Sequence, residues 1–222
     1  MKKTYLRAVL LFLGIAGIIA YLVFPSKKKV HCIDKELNFY TYVDSTSGVQ
    51  DVEIKPPAFK CNLSKEGGHC GMGFSFNETE NWNLMDFLII DMQSSDEFKE
   101  LIVQILTIDP RTRDNDRSTM KPVIKELKLE QDKKRYSIPM EHFYTPDYWF
   151  EQQKIKDTQN SKRFSFVAGM EIYSGWKNKT DTPLELKIEG MCLEGVSNTR
   201  FVILVIYIGI LIATAISVRI RT

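Results

Sequence analysis

The sequence predicts an all-β fold, an antiparallel β-sandwich held between two transmembrane helices. Three observations predict it. Residues 1–25 and 201–222 are strongly apolar, whereas residues 26–200 are polar, charged and aromatic. Within the middle segment, short runs alternate with period two or are rich in β-branched and aromatic residues, and turn-forming residues separate them. All four cysteines, Cys32, Cys61, Cys70 and Cys192, fall in that segment and none in the apolar ends.

The chain opens with Lys2, Lys3 and Arg7, then runs uncharged from Ala8 to Phe24 and is closed by Pro25. That run sits at the short edge of the roughly 17–25 residues that cross a bilayer. A cleaved signal peptide would end in small residues. Tyr21, Leu22, Val23 and Phe24 are large, so an uncleaved anchor is expected over 1–25. The second span, in 201–222, runs uncharged from Phe201 to Val218 between Arg200 and Arg219. Basic residues before the first span and after the second place both termini in the cytoplasm by the positive-inside rule, with residues 26–200 outside the cell membrane. Lys27, Lys28 and Lys29 open a loop too long for that rule to govern.

In the outer segment, strands are expected over Leu37–Val43, Gly71–Asn77, Phe87–Met92, Leu101–Ile108, Val123–Leu129, Phe164–Tyr173 and Leu184–Leu193. The almost unbroken apolar run from Leu101 suits a central strand. Leu184, Leu186 and Ile188 alternate with Glu185, Lys187 and Glu189, as a half-exposed strand requires. One short helix is expected after Thr145, with Pro146 at its first position and Asp147 in its first turn. Seven or more short strands at regular spacing point to a sandwich rather than a parallel α/β sheet.

An even number of cysteines outside the membrane implies two disulfides. Three pairings are open. The favoured one joins Cys61 to Cys70, closing a short loop, and Cys32 to Cys192, tying the ends of the domain near the membrane. His31 and His69 each precede a cysteine, but the spacings match no zinc pattern, and no metal or other cofactor is expected. Asp109, Asp114, Asn115 and Asp116 offer oxygen ligands, yet Arg111, Arg113 and Arg117 neutralise them, so a solvated turn is the preferred reading over calcium. Asn62, Asn77 and Asn178 open loose glycosylation sequons. A formal net charge of +2 without a basic stripe argues against a nucleic-acid partner.

Residues 71–195 resemble the jelly-roll, galactose-binding-like modules related to carbohydrate-binding modules, in the form found outside the membrane in bacterial sensor kinases and diguanylate cyclases. The likeness is carried by Asp86–Asp91 after a Trp82 loop, by Leu101–Pro110, by Tyr136-Ser137-Ile138-Pro139 leading to Pro146–Phe150, and by the runs ending at Tyr173 and Leu193. It covers a little over half the chain. The family's members continue past the second span into a signalling domain, which this sequence does not include, so a partner is expected to carry the signal.

The resemblance implies a ligand site made of a flat aromatic ring with amides or carboxylates beside it. Trp82 between Asn81 and Asn83 has that make-up and is expected to be exposed, as is Trp176 in the Ser174-Gly175-Trp176 turn. Trp149, among Phe143, Tyr148 and Phe150, is expected in the core. No nucleophile elbow, phosphate loop or His-Glu-x-x-His is present, and an enzyme is not expected. The resulting expectation is a membrane-anchored, ligand-binding sensory protein that recognises a glycan or small molecule. The alternative is a structural or assembly subunit that docks another protein in the membrane or periplasm.

Overall fold

The computed structural model describes residues 13–14, 17, 28–33, 37–43, 49–63, 68–112, 117–156, 164–178, 180–196 and 204–212. The chain forms two compact units, residues 30–195 and the terminal segments 1–29 with 196–222. In the terminal unit, residues 204–212 are helical. Leu204, Tyr207 and Leu211 are half-buried along one stripe, and Val205, Ile206, Ile208, Ile210 and Ile212 are exposed. The Tyr207 hydroxyl donates to the Leu13 carbonyl. Among the described residues no helix is long and apolar enough to cross a membrane. The spans expected in 1–25 and 201–222 fall largely outside those residues.

The larger unit is two antiparallel sheets. One contains β1 (Lys28–Cys32), β3 (Val49–Lys55), β4 (Ala58–Leu63), β6 (Phe87–Ser94), β9 (Arg135–Pro139) and β11 (Pro183–Val196), in the order β3-β4-β11-β6-β9 with β1 also on β11. The other contains β2 (Asn38–Val43), β5 (Cys70–Glu80), β7 (Glu100–Thr107), β8 (Lys121–Lys128) and β10 (Val167–Ser174), in the order β2-β5-β10-β7-β8. One short helix, α1 (Asp147–Gln152), follows β9. Pro146 is its cap rather than its first residue.

Alternation decides which side chains enter the space between the sheets. From the five-stranded sheet come Met72, Phe74, Leu101, Val103, Ile105, Val123, Met170 and Ile172, and from the other Phe59, Leu88, Ile90, Leu184, Leu186 and Leu193, all buried. β7 lies inside its sheet, as its apolar run predicts, although β10 holds the centre. A bulge between Ile188 and Gly190 keeps β11 in phase. Without the extra residue, the inward set Leu184, Leu186, Ile188 would continue to Gly190 and Cys192. With it, Met191 and Leu193 face the core instead.

Both expected disulfides form, Cys32–Cys192 and Cys61–Cys70. Cys61 on β4 and Cys70 on β5 are fully buried, so their bridge crosses the core from one sheet to the other rather than merely closing a loop. Cys32 is exposed on β1 and joins the neighbouring β11. The sequence separations are 160 and 9. Chain-entropy arithmetic assigns about 5 kcal/mol to the longer closure and about 2.5 kcal/mol to the shorter.

Asp109 corrects the expectation of a solvated turn. Its carboxylate is buried and receives the Arg111 side chain at 2.9 and 2.7 Å and the Arg111 backbone N–H at 3.0 Å. The buried Lys121 ammonium stands 3.7 Å away. The Arg111 hydrogen bonds outweigh burial and hold the carboxyl down to about 2. Asp114 and Asp116 lie outside the described residues. Asn178 departs from its sequon role. It is buried, its carbonyl oxygen accepts from the backbone of Lys99 and Glu100, and its amide donates to the carbonyls of Glu100 and Gly175. Such an amide pins a turn and is closed to modification.

A depressed carboxyl pKa contributes stability that is complete above the unfolded value of 3.8 and is lost as pH falls through about 2. Acid titration of unfolding free energy will show a loss of about 2 kcal/mol across that window, and Asp109→Asn will lack it while being less stable at neutral pH by about 3 kcal/mol. Equal acid slopes in the two proteins would rule out this role for Asp109. Under mild reductant, mass mapping of alkylated thiols will find Cys32 and Cys192 labelled while the Cys61–Cys70 bridge persists until the core opens. Simultaneous labelling of all four would contradict the difference in burial.

Candidate ligand face

The outer face of the five-stranded sheet is built row by row, because residues paired across strands point the same way. In one row Tyr40 of β2 stands opposite Gly73 of β5, then Glu171 of β10, Gln104 of β7 and Ile124 of β8. The row two residues along is Tyr42, Gly71, Tyr173, Ile102 and Glu126. The row on the other side is Asn38, Ser75, Gly169, Leu106 and Pro122. None of these positions is Lys or Arg.

Glycine makes the middle row work. A Cβ at Gly73 would overlap the ring of Tyr40. With hydrogen there, the ring lies across β5 and its hydroxyl donates to Glu171 Oε1 at 2.9 Å. Gln104 Nε2 donates to the other carboxylate oxygen at 2.7 Å, and Gln104 Oε1 accepts from the Tyr173 hydroxyl at 3.1 Å. Glu171, 1% exposed, is thereby held rigidly at the base of the face. In the next row a Cβ at Gly71 would collide with the Ile172 carbonyl and the Tyr173 backbone, so glycine lets β10 approach closely, and Tyr42 and Tyr173 stack with centroids 4.5 Å apart across the bare strand. Burial raises the Tyr173 hydroxyl pKa strongly, helped by Tyr42 and Glu171, so the phenol stays protonated and donating.

The aromatic series continues beyond the sheet. His69 sets its ring edge-on to Tyr173 at 5.3 Å and to Trp176 at 4.2 Å. Its Nδ1 lies 2.8 Å from the Ser174 carbonyl, so that nitrogen carries the proton. Trp176 is 54% exposed, as expected. Opposite β2, Tyr144 bridges to Ile124 and its hydroxyl reaches Glu126 at 3.4 Å, while Tyr148 projects from α1; both rings are exposed. Burial, then Glu126, raises the Tyr144 pKa, and burial, then Glu171, that of Tyr148.

Trp82 is a correction. It is 1% exposed, packs edge-on against Phe76 and donates its indole N–H to Glu80 at 2.9 Å. A ring with no free face cannot stack on a ligand. Asn81 and Asn83 serve the same loop. The Asn81 carbonyl oxygen accepts from the Asn83 backbone, and Asn83 binds the Phe164 backbone and the Ser165 hydroxyl. The Asn-Trp-Asn triplet is therefore a structural clamp, and of the ligand residues expected from the sequence only Trp176 stands on the aromatic face. Trp149 is buried, as expected. Tyr40, Tyr42, Gln104, Glu171 and Tyr173 were not singled out from sequence. Their signal is the Gly71-x-Gly73 pair beside alternating tyrosines at 40 and 42, a strand stripped of side chains so that its neighbours can lean over it.

The opposite sheet presents a different surface. Lys60 pairs with Glu185, Arg135 with Asp91 at 3.3 Å, and Gln93 with Glu189 at 2.6 Å. Exposed pairs of this kind contribute about 0–1 kcal/mol each and mark a solvated face.

No family model matches the sequence, and no curated protein matches it. Among solved structures, the fold is similar to the family 11 carbohydrate-binding module of the cellulosomal cellulase Lic26A-Cel5E of Clostridium thermocellum, at 12% identity over 78% of this chain and 96% of that one, with a TM-score of 0.50. The solution structure of CtCBM11 gives 13% identity, 78% and 98% coverage, and a TM-score of 0.50. The fold is thus that of carbohydrate-binding-module jelly-roll sandwiches. At such identity the likeness concerns fold alone.

If Gly73 exists to seat Tyr40, their substitutions will not add. Gly73→Val will lower unfolding free energy by about 1–3 kcal/mol and Tyr40→Phe by about 1 kcal/mol, and the double variant will lose little more than Gly73→Val alone in chemical denaturation. Strict additivity would sever the link between them.

Proposed function

We propose that this chain is a membrane-anchored, extracytoplasmic glycan-binding sensory protein whose ligand lies on the outer face of the five-stranded sheet. One observation carries the proposal: the accessible rings of Tyr42 and Trp176, backed by the buried rings of Tyr173 and His69, stand beside a fixed carboxylate–amide pair, Glu171 and Gln104. Sugar rings have apolar faces that stack on aromatic planes and hydroxyl rims that need both donors and acceptors. The face supplies both at once, and rigid side chains lower the ordering cost of binding. The solved structures of similar fold are named as carbohydrate-binding modules, which supports a binding rather than a catalytic role. Anchoring rests on the uncharged runs Ala8–Phe24 and Phe201–Val218. The sensory role, exercised through a partner, rests on the resemblance to membrane-bound sensors described above.

Without Lys or Arg on the three rows, the face favours neutral glycans over anionic ones. Isothermal titration of the full chain in detergent against neutral and acidic oligosaccharides will show binding confined to the neutral set. Trp176→Ala and Tyr42→Ala will each weaken it about tenfold, the loss of one stacking contact of about 1–1.5 kcal/mol, whereas Asn81→Ala will leave it unchanged. A well-folded chain that binds none of the panel, or a Tyr42→Ala/Trp176→Ala variant that binds as well as the parent, would defeat the proposal.

A further inference from the structure

We infer that the end of the sandwich carrying Leu84, Phe87 and Phe166 is a lipid-contacting surface that rests in the interfacial layer of the bilayer, resting on the anchoring proposed above. Three large apolar side chains are exposed at this end, Leu84 at 57%, Phe166 at 48% and Phe87 at 39%. The hydrogen bonds bring them to one place. Asp86 N–H donates to the Glu194 carbonyl at 2.7 Å, Phe87 pairs with Glu194, and the Leu84 backbone lies so close to Gly195 that a side chain there would collide with it. Asn83, next to Leu84, holds Phe164 and Ser165 and so delivers Phe166. Val30, also exposed, lies on β1, which flanks β11 on its other side.

This is the end at which both termini leave the domain. β11 ends at Val196 and the second apolar run begins at Phe201. The first run ends at Phe24 and β1 begins at Lys28. At no more than about 3.6 Å per residue, these tethers span at most about 18 and 14 Å. With both runs in the bilayer, Leu84 and the two phenylalanines cannot move far from the headgroup layer, and apolar side chains held there sink into the boundary of headgroups and acyl chains. Apolar side chains exposed together mark a surface that protein or lipid covers. Lipid is the occupant that the two short tethers dictate.

The test uses the full chain in vesicles, labelled without reductant at single introduced cysteines with an environment-sensitive fluorophore. Leu84→Cys and Phe166→Cys report the proposed surface. Val52→Cys is the control, exposed on β3, which joins the sheet near the start of β11 and thus at the far end. Spin-labelled lipids will quench positions 84 and 166 at least about twofold more than position 52, with a blue-shifted emission only at the first two. If the chain floats with the vesicles and all three positions are quenched equally little, the surface does not touch lipid and the inference is overturned while the anchoring stands. If the chain does not float with vesicles, the anchoring fails and takes the inference with it.

Discussion

Strand parity is the constraint on which the rest of this domain depends. Each strand can turn only every second side chain inward, so the same rule that fills the core also determines what the outer faces present. The bulge in β11 shows how strictly the rule is kept. One extra residue between Ile188 and Gly190 preserves an unbroken inward series from Leu184 to Leu193, and sends Cys192 outward to meet Cys32 on β1. A second bulge, between Val167 and Gly169 of β10, lets Val167 stay buried while Glu171 and Tyr173 arrive on the outer face.

From parity follows the contrast between the two surfaces. Among the outward positions on the six-stranded sheet, Lys60 and Glu185, Asp91 and Arg135, and Gln93 and Glu189 pair across strands and stay hydrated. Outward positions on the five-stranded sheet bring rings, glycines and aliphatic side chains together with an amide and a buried carboxylate. Burying Glu171 in this way is costly unless its oxygens are satisfied, and Tyr40 and Gln104 each supply a donor. Structural economy alone would place a hydrophobic residue there. A rigid polar group beneath half-buried rings is the observation on which the proposed ligand face rests.

Much of the sandwich was legible because its interior strands alternate clearly, as Leu184–Ile188 does, or are apolar on both faces, as Leu101–Val103 is. The two cysteine pairs were legible too, although their different burial was not. β1, β3, β4 and β9 escaped notice. β4 does alternate, with Phe59, Cys61 and Leu63 inward and Lys60 and Asn62 outward, but only two of its inward residues are large and apolar and none is β-branched. β3 carries charges and lies at an edge, where little burial shapes the sequence. The candidate ligand face was harder still. Trp82 and Trp176 look alike in sequence, each beside polar or turn-forming neighbours, and only the fold buries one and exposes the other. Tyr40, Glu171 and Gln104 are far apart in the chain and meet through three separate strand pairings, which no local pattern encodes.

The surface disulfide has a mechanical meaning. Cys32 closes the first strand and Cys192 lies just before the last one ends, so a covalent path from one terminal segment to the other runs through a handful of residues and one sulfur–sulfur bond. Tension transmitted along that path bypasses the 160-residue separation between them. A pull between the two terminal segments would therefore load a short, stiff staple before it reached the sheets, much as a keystone tie relieves the arch it closes.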